Sequence, residues 1–178
     1  MRFRPGVTFI AAVVLGFAFC ASADDMADCP MMKGGARTPG DHAREVATRG
    51  DGAMGFSHEK TTHHFRISAE GGAIEVSANA PSDTDSRGRI RMHLTHIARA
   101  FAKGDFAIPM LVHDTIPPGV STMKRRRDAI VYRYEEIPGG ARVVLETRDP
   151  DALDAIHDFL RFQIADHGTG DPGAEAVR

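Results

Sequence analysis

One order of strand, turn and helix signals occurs twice in this 178-residue chain and constrains its fold more than any other feature. The string GGAIEV at residues 71–76 is matched by GGARVV at residues 139–144. Each string lies within a segment where apolar and polar residues alternate, which indicates a hairpin of two strands. A helical pattern follows each hairpin. The order ββα is therefore predicted twice.

Both predicted helices have apolar residues at helical spacing and recognisable ends. The first begins near residues 82–86, and Gly104 follows it where a helix-ending glycine is expected. The second has Asp149 as its N-cap and Pro150 at its first position. Their apolar positions are Ile90, Leu94, Ile97 and Phe101 in the first and Leu153, Ile156, Leu160 and Ile164 in the second.

The sequence predicts an α+β fold, a ββαββα pseudo-repeat with a four-stranded antiparallel sheet and both helices on one face. The helices are placed on one face because the apolar face of a sheet must be buried. The two halves are interpreted as an internal duplication; the alternative is that unrelated segments share a common hairpin–helix pattern.

The first 23 residues are predicted to be a signal peptide. Arg2 and Arg4 precede an apolar run at residues 7–19, and the small residues 21–23 follow. The run is shorter than the about 20 residues that span a membrane, and no later segment is long and apolar enough to do so. We therefore expect export to the periplasm or secretion, with a lipoprotein anchor on Cys20 as the alternative.

Three further boundaries are predicted from composition. Residues 24–52 contain five glycines from position 34 onward and few aliphatic side chains, which favours a flexible arm. Residues 53–168 form the α+β domain, with an irregular connector at 106–120, and residues 169–178 form a loose tail. The formal net charge of −2 gives no reason to expect nucleic-acid binding.

The nine histidines are the unusual polar feature of the chain. Alternation places His63 on the same strand face as Phe65, while His93 and His157 border the apolar stripes of the two helices. If both helices cover one sheet face, these three imidazoles would converge on one copper or zinc ion. The second-tier candidates are His64, His96 and His113. Partly buried structural histidines are the alternative interpretation.

The predicted arm offers a separate group of soft ligands. Cys29, Met31 and Met32 bring thiolate and thioether sulfur together, a set that favours Cu(I). Removal of the signal would also remove Cys20, leaving Cys29 as the single cysteine, so no intramolecular disulfide is expected. An ordinary linker with incidental methionines is the alternative.

Five strings resemble a family of uncharacterised exported bacterial proteins: MGFS at 54–57, TTHHF at 61–65, GAIEV at 72–76, PPGV at 117–120 and AIHDFLRFQ at 155–163. The resemblance covers most of residues 29–171 and implies export and the domain boundary. Some similar proteins are named aspartate carbamoyltransferase, a name that this chain does not support. It is too short for that catalytic subunit, and residues 121–124 read STMK where the enzyme has Ser-Thr-Arg-Thr.

Three functions remain as hypotheses from the sequence. The first is a small exported protein that binds a metal ion or small ligand through the core-bordering histidines. The second is a non-enzymatic interaction module that binds a protein partner and uses its histidines structurally. The third is a metal-dependent hydrolase with Asp114 or Asp158 as base. No nucleotide-binding or serine-hydrolase motif is present, which favours a protein that is not an enzyme.

Overall fold

The computed structural model describes residues 38–173, which form a four-stranded antiparallel sheet and five helices. The strands are β1 (Thr61–Ser68), β2 (Gly71–Ala78), β3 (Ile130–Ile137) and β4 (Gly140–Thr147). The helices are α1 (Pro39–Met54), α2 (Thr84–Ala102), α3 (Ala107–His113), α4 (Val120–Arg125) and α5 (Pro150–His167). The predicted α+β class and antiparallel sheet are confirmed.

The sheet has the order β1-β2-β4-β3, so the two hairpins join through their second strands. Residues Gly71 to Ser77 of β2 run antiparallel to Gly140 to Glu146 of β4. The two central strands have the same sequence of buried and half-buried positions. Duplication of the two halves, and the placement of two helices on one face, stay predictions.

The core joins both halves of the chain. The predicted apolar stripe of α2 is buried, and α5 buries Ile156, Leu160 and Ile164 beside Phe159. These side chains form one cluster with apolar residues of the central strands. Burial of each large apolar side chain stabilises the fold by roughly 1.5–3 kcal/mol.

The predicted ends of α2 and α5 are confirmed. The carboxylate of Asp149 accepts a hydrogen bond from the backbone N–H of Ala152 at 3.0 Å, and Pro150 is the first residue of α5. Asp83 caps α2 in the same way through the N–H of Ser86. Gly104 follows α2 with a φ of 76°, a left-handed conformation that glycine adopts without strain.

Helix α1 corrects the prediction of a flexible arm for residues 39–52. The Thr38 hydroxyl accepts a hydrogen bond from the N–H of Asp41, whose carboxylate accepts one from the N–H of Thr38. This reciprocal capping box satisfies two N–H groups at the start of the helix. Val46 is buried, and the buried Gly50 allows α1 to approach Val112 of α3. Tertiary packing thus compensates for the scarcity of aliphatic side chains.

The connector and the tail are also more ordered than predicted. The connector at 106–120 contains α3 and the first residue of α4, both of which bury apolar side chains. The predicted tail is held as far as Asp171, whose side chain is 4% exposed. Asp171 accepts hydrogen bonds from the backbone N–H of Phe65 at 2.9 Å and from the Thr169 hydroxyl at 2.8 Å.

Several predictions concern residues outside the described range. They are the signal peptide at 1–23, the arm residues Cys29, Met31 and Met32, and the last five residues of the tail. Within residues 38–173, no helix is long and apolar enough to cross a membrane.

Close approach of β2 to β4 generates a prediction about Gly140. A Cβ atom at this position would lie 2.1 Å from the Val76 backbone oxygen, so we expect Gly140→Ala to lower the free energy of unfolding by about 2 kcal/mol. Gly88 is the matched control, since it is exposed in α2 with nothing within 4 Å of an added Cβ. Gly88→Ala is expected to raise stability by about 0.5–1 kcal/mol. Urea unfolding of both variants measures these changes. Equal changes in the free energy of unfolding for Gly140→Ala and Gly88→Ala would contradict the prediction.

Candidate functional site: a cavity lined by histidines

A cavity of about 70 Å³ lies among side chains from both halves of the chain. Its walls are mostly apolar and include Met54, Phe65 and Ile97. Four histidines also line it: His63, His93, His113 and His167. These four are the feature that distinguishes the cavity from ordinary core packing.

Local structure explains how each histidine reaches the cavity. His63 lies two residues before the buried Phe65 on β1 and therefore faces the same way, as predicted. His93 borders the buried stripe of α2, also as predicted. His113 and His167 are the last residues of α3 and α5. One face of β1 and one face of α2 thus meet the C-terminal ends of α3 and α5 at the cavity.

The imidazole rings are packed against one another and against phenylalanine. The rings of His63 and His167 are nearly parallel, with centroids 5.8 Å apart and an interplanar angle of 7°. His113 meets His167 edge to face at 4.9 Å. The ring of Phe56 lies 6.2 Å from His63 and 5.7 Å from His93, so aromatic contacts connect all four histidines.

His63, His93 and His167 are half-buried, and desolvation keeps their imidazoles uncharged at neutral pH. Desolvation lowers the pKa of His63 and of His93 to about 4, against an ordinary value of 6.5. Desolvation, assisted by the neighbouring His113 and His63, lowers the pKa of His167 to about 3. At neutral pH all three rings therefore have a nitrogen lone pair available to a ligand.

Asp166 of α5 holds the fourth histidine in place. Nδ1 of His113 donates to one carboxylate oxygen of Asp166, and Nε2 of His42 donates to the other at 2.7 Å. Burial by itself would raise the pKa of Asp166, but the hydrogen bonds from His113 and His42 together lower it. The carboxylate therefore connects α1 and α3 to α5 and anchors one wall of the cavity.

Gln163 places an amide at the same wall. Its Oε1 atom lies 2.9 Å from Nε2 of His113. The residue is only 4% exposed, and its Nε2 atom has no hydrogen-bond partner among residues 38–173. With the amide turned by 180°, its N–H donates to Nε2 of neutral His113, whose Nδ1 already donates to Asp166, so both groups are satisfied.

The structure separates the three histidines that the sequence places first. His63 and His93 line the cavity, but His157 does not: its Nε2 donates to the Ser68 backbone oxygen at 2.9 Å. His157 does lie beside the apolar stripe of α5, as predicted. Its side of the helix, however, faces the end of β1 at Ser68 and not the cavity. His167 takes the place predicted for His157.

The second-tier candidates are also divided. His113 lines the cavity, whereas His64 points to the other sheet face and donates to Asp171 at 2.9 Å. His96 is exposed in a surface groove beside Met92. Across residues 38–173, no three His, Cys, Asp or Glu side chains are already arranged to hold a metal ion.

Comparisons with protein-family models, with curated proteins and with solved structures give no match for this chain. The fold and the cavity define an α+β protein with a histidine-lined interior. Any function must therefore be inferred from the chemistry of the cavity.

The lowered pKa values predict acid sensitivity. Above pH 6.5 these histidines are neutral in the folded and unfolded chain alike. As the pH falls from 6.5 towards 4, these histidines become protonated in the unfolded chain but stay neutral in the folded chain. The free energy of unfolding should then fall by about 1 kcal/mol per pH unit for each of the three histidines, beyond the effect of carboxylates.

The variant His167→Phe tests this expectation, because phenylalanine keeps the ring packing and cannot be protonated. Urea unfolding between pH 7.5 and 4 should show a shallower loss of stability, by about one proton's contribution. His157→Gln is the control, since it removes a histidine outside the cavity. A pH dependence that is identical in wild type and His167→Phe would contradict the assignment of a buried neutral ring.

Proposed function

We propose that this is an exported metal-binding protein that holds one transition-metal ion, with copper(I) preferred, through His63, His93 and His167. The observation that supports the proposal is that these three uncharged imidazoles line one cavity, although within residues 38–173 no three ligands are placed close enough to share an ion. Neutral imidazole is the form of histidine that binds metals, and proteins use it for copper and zinc.

The size of the cavity favours an ion over an organic ligand. Sites for organic ligands and cofactors typically enclose about 300–1,000 Å³, and an apolar cavity of about 150 Å³ binds benzene. The 70 Å³ present here is well below both. An ion has room there with its histidine ligands and one further small ligand.

The charge and softness of the lining favour copper(I) over zinc. No carboxylate of the described residues lines the cavity itself, although Asp166 and Asp51 act on its histidines from outside the lining. A monovalent ion costs less to bury in such surroundings than a divalent one. The thioether of Met54 also lines the cavity, and soft thioether ligands select Cu(I).

Ion binding requires the rings to turn about their side-chain dihedrals. His63 and His167 stack on each other, and ring nitrogens that coordinate one ion must point at one atom. Gln163 and Asp166 hold His113 in position meanwhile, so one wall is fixed while His63, His93 and His167 adjust. The proposed site is thus only partly preorganised.

The other two hypotheses receive unequal support. Asp114 and Asp158, the bases of the hydrolase hypothesis, do not line the cavity. The interaction module is the second candidate, favoured by the hydrogen bonds that several histidines make to the protein itself. These histidines are His42 with Asp166, His58 with Asp51, His64 with Asp171 and His157 with Ser68.

Anaerobic titration of the purified protein with Cu(I), in competition with a chromophoric chelator, tests the proposal. We expect one tight equivalent in the wild type. His93→Phe and His167→Phe should each weaken it by at least about a hundredfold, because each removes a ligand. His157→Gln should bind like the wild type, since its ring hydrogen-bonds to a backbone carbonyl outside the cavity.

The soft residues of the predicted arm need their own control. The variant Cys29→Ser, Met31→Leu, Met32→Leu should keep the cavity equivalent. Loss of that equivalent in the arm variant, with full binding by His93→Phe and His167→Phe, would transfer the site to the arm. Absence of Cu(I) and Zn(II) binding in every protein would leave the interaction module as the better hypothesis.

A further inference from the structure

The two edge strands of the sheet differ in whether another part of the chain covers their outward hydrogen-bonding groups. The order β1-β2-β4-β3 leaves one side of β1 and one side of β3 without a neighbouring strand. At β1 the segment after α5 closes the edge, since Asp171 accepts the outward N–H of Phe65 at 2.9 Å. Proteins cover or interrupt free edges because an open row of N–H and C=O groups pairs readily with another strand.

The outward groups of β3 are identified by its pairing with β4. The N–H of Thr147 donates to the Glu70 backbone oxygen, on the side of β4 that faces β2, and Thr147 lies opposite Ile130. Alternation then directs the N–H and C=O of Ile130, Tyr132, Tyr134 and Glu136 away from β4. The Ile130 N–H already donates to the Arg127 backbone oxygen, and no strand within residues 38–173 pairs with the other groups.

We propose that the β3 edge is a dimer interface, at which β3 pairs antiparallel with β3 of a second copy about a two-fold axis at Tyr134. In this register Arg133 lies opposite Glu135 of the second copy, and Val131 lies opposite Ile137. Within one chain Arg133 already pairs with Glu135 and Glu146, so the contact between copies would extend an existing network of charges. Both pairs occur twice because the interface is two-fold symmetric. Opposite charges and apolar residues directly across from each other stabilise a strand pair.

Neighbouring registers are less favourable. A shift of two residues in one direction would place Arg133 opposite Arg133 of the second copy, and a shift in the other direction would place Glu135 opposite Glu135. Either shift would bring like charges together. A shift of one residue would oppose outward groups of one strand to inward groups of the other. In the proposed register the ladder ends where Ile130 meets Pro138, which has no N–H to donate.

The surface beside this edge contains apolar side chains that a second copy would cover. Val131 is 57% exposed on β3, and Met92 of α2 is 69% exposed, the highest value among the exposed large hydrophobic residues. Met92 and His96 form a surface groove with Tyr134, which lies on the proposed axis. The groove is therefore adjacent to its symmetry copy in the dimer.

Charge exchange gives a direct test of the register. Sedimentation or light scattering should give a dimer for the full chain, and Arg133→Glu and Glu135→Arg should each weaken it by at least about tenfold, because each opposes like charges twice. An equal mixture of the two variants should recover the dimer, since opposite charges then face each other at all four positions. The double variant Arg133→Glu, Glu135→Arg should also dimerise.

Cysteine pairing tests the same register independently of charge. Val131 and Ile137 would form a non-hydrogen-bonded antiparallel pair, whose Cα atoms lie about 4.5 Å apart, within disulfide range. Mixed Val131→Cys and Ile137→Cys proteins, both made in a Cys29→Ser background, should oxidise to a cross-linked heterodimer, with the 131–137 bond confirmed by peptide mass spectrometry. Val131→Cys alone is the matched control, since its two copies would lie about 20 Å apart.

Circular dichroism of each variant establishes that it is folded. A folded wild type that stays monomeric at about 100 μM would overturn the proposal. So would a dimer that neither charge variant weakens, or one cross-linked by Val131→Cys alone at residue 131. Either of these last results would place the interface elsewhere or in another register.

Discussion

Antiparallel pairing of β2 with β4 joins the two hairpins, and the cavity depends on it. β1 pairs with β2 and contributes His63 to the cavity. α5 follows β4 in the chain and contributes His167. The contact is close enough that a Cβ atom at Gly71 would lie 2.0 Å from the Leu145 backbone oxygen. Glycine therefore occurs where the central strands meet, and the residues around it are buried.

Partial burial of the cavity histidines lowers the stability of the folded protein and favours the binding of a ligand by their rings. The three half-buried imidazoles are partly desolvated in a mostly apolar wall, and their lowered pKa values measure the cost of charging them there. Asp166 offsets the cost at one wall through hydrogen bonds to His113 and His42. A site that is unfavourable when nothing is bound gains affinity for whatever satisfies it, which is why the same rings are proposed as ligands.

Local patterns predicted the elements that bury an apolar stripe of their own. Both hairpins, α2 and α5 were recognised by periodicity, α5 also by Asp149 and Pro150 at its start, and His63 and His93 were placed on the sides that line the cavity. Helices α1 and α3 were missed because they are stabilised by contact with each other and with α5 rather than by a stripe. The local signals for α1 were the capping box of Thr38 and Asp41, Pro39 at the first position and Gly55 at the C-cap.

The sequence by itself determined the α+β class, the positions of the four strands and of α2 and α5, and which face His63 and His93 occupy, because backbone periodicity sets side-chain direction within one element. Only the tertiary structure decided that His113 and His167 join them and that His157 does not. Periodicity cannot determine where two helix ends meet a strand face, since that depends on packing between elements that are distant in the chain. The histidine-lined cavity is a product of that packing.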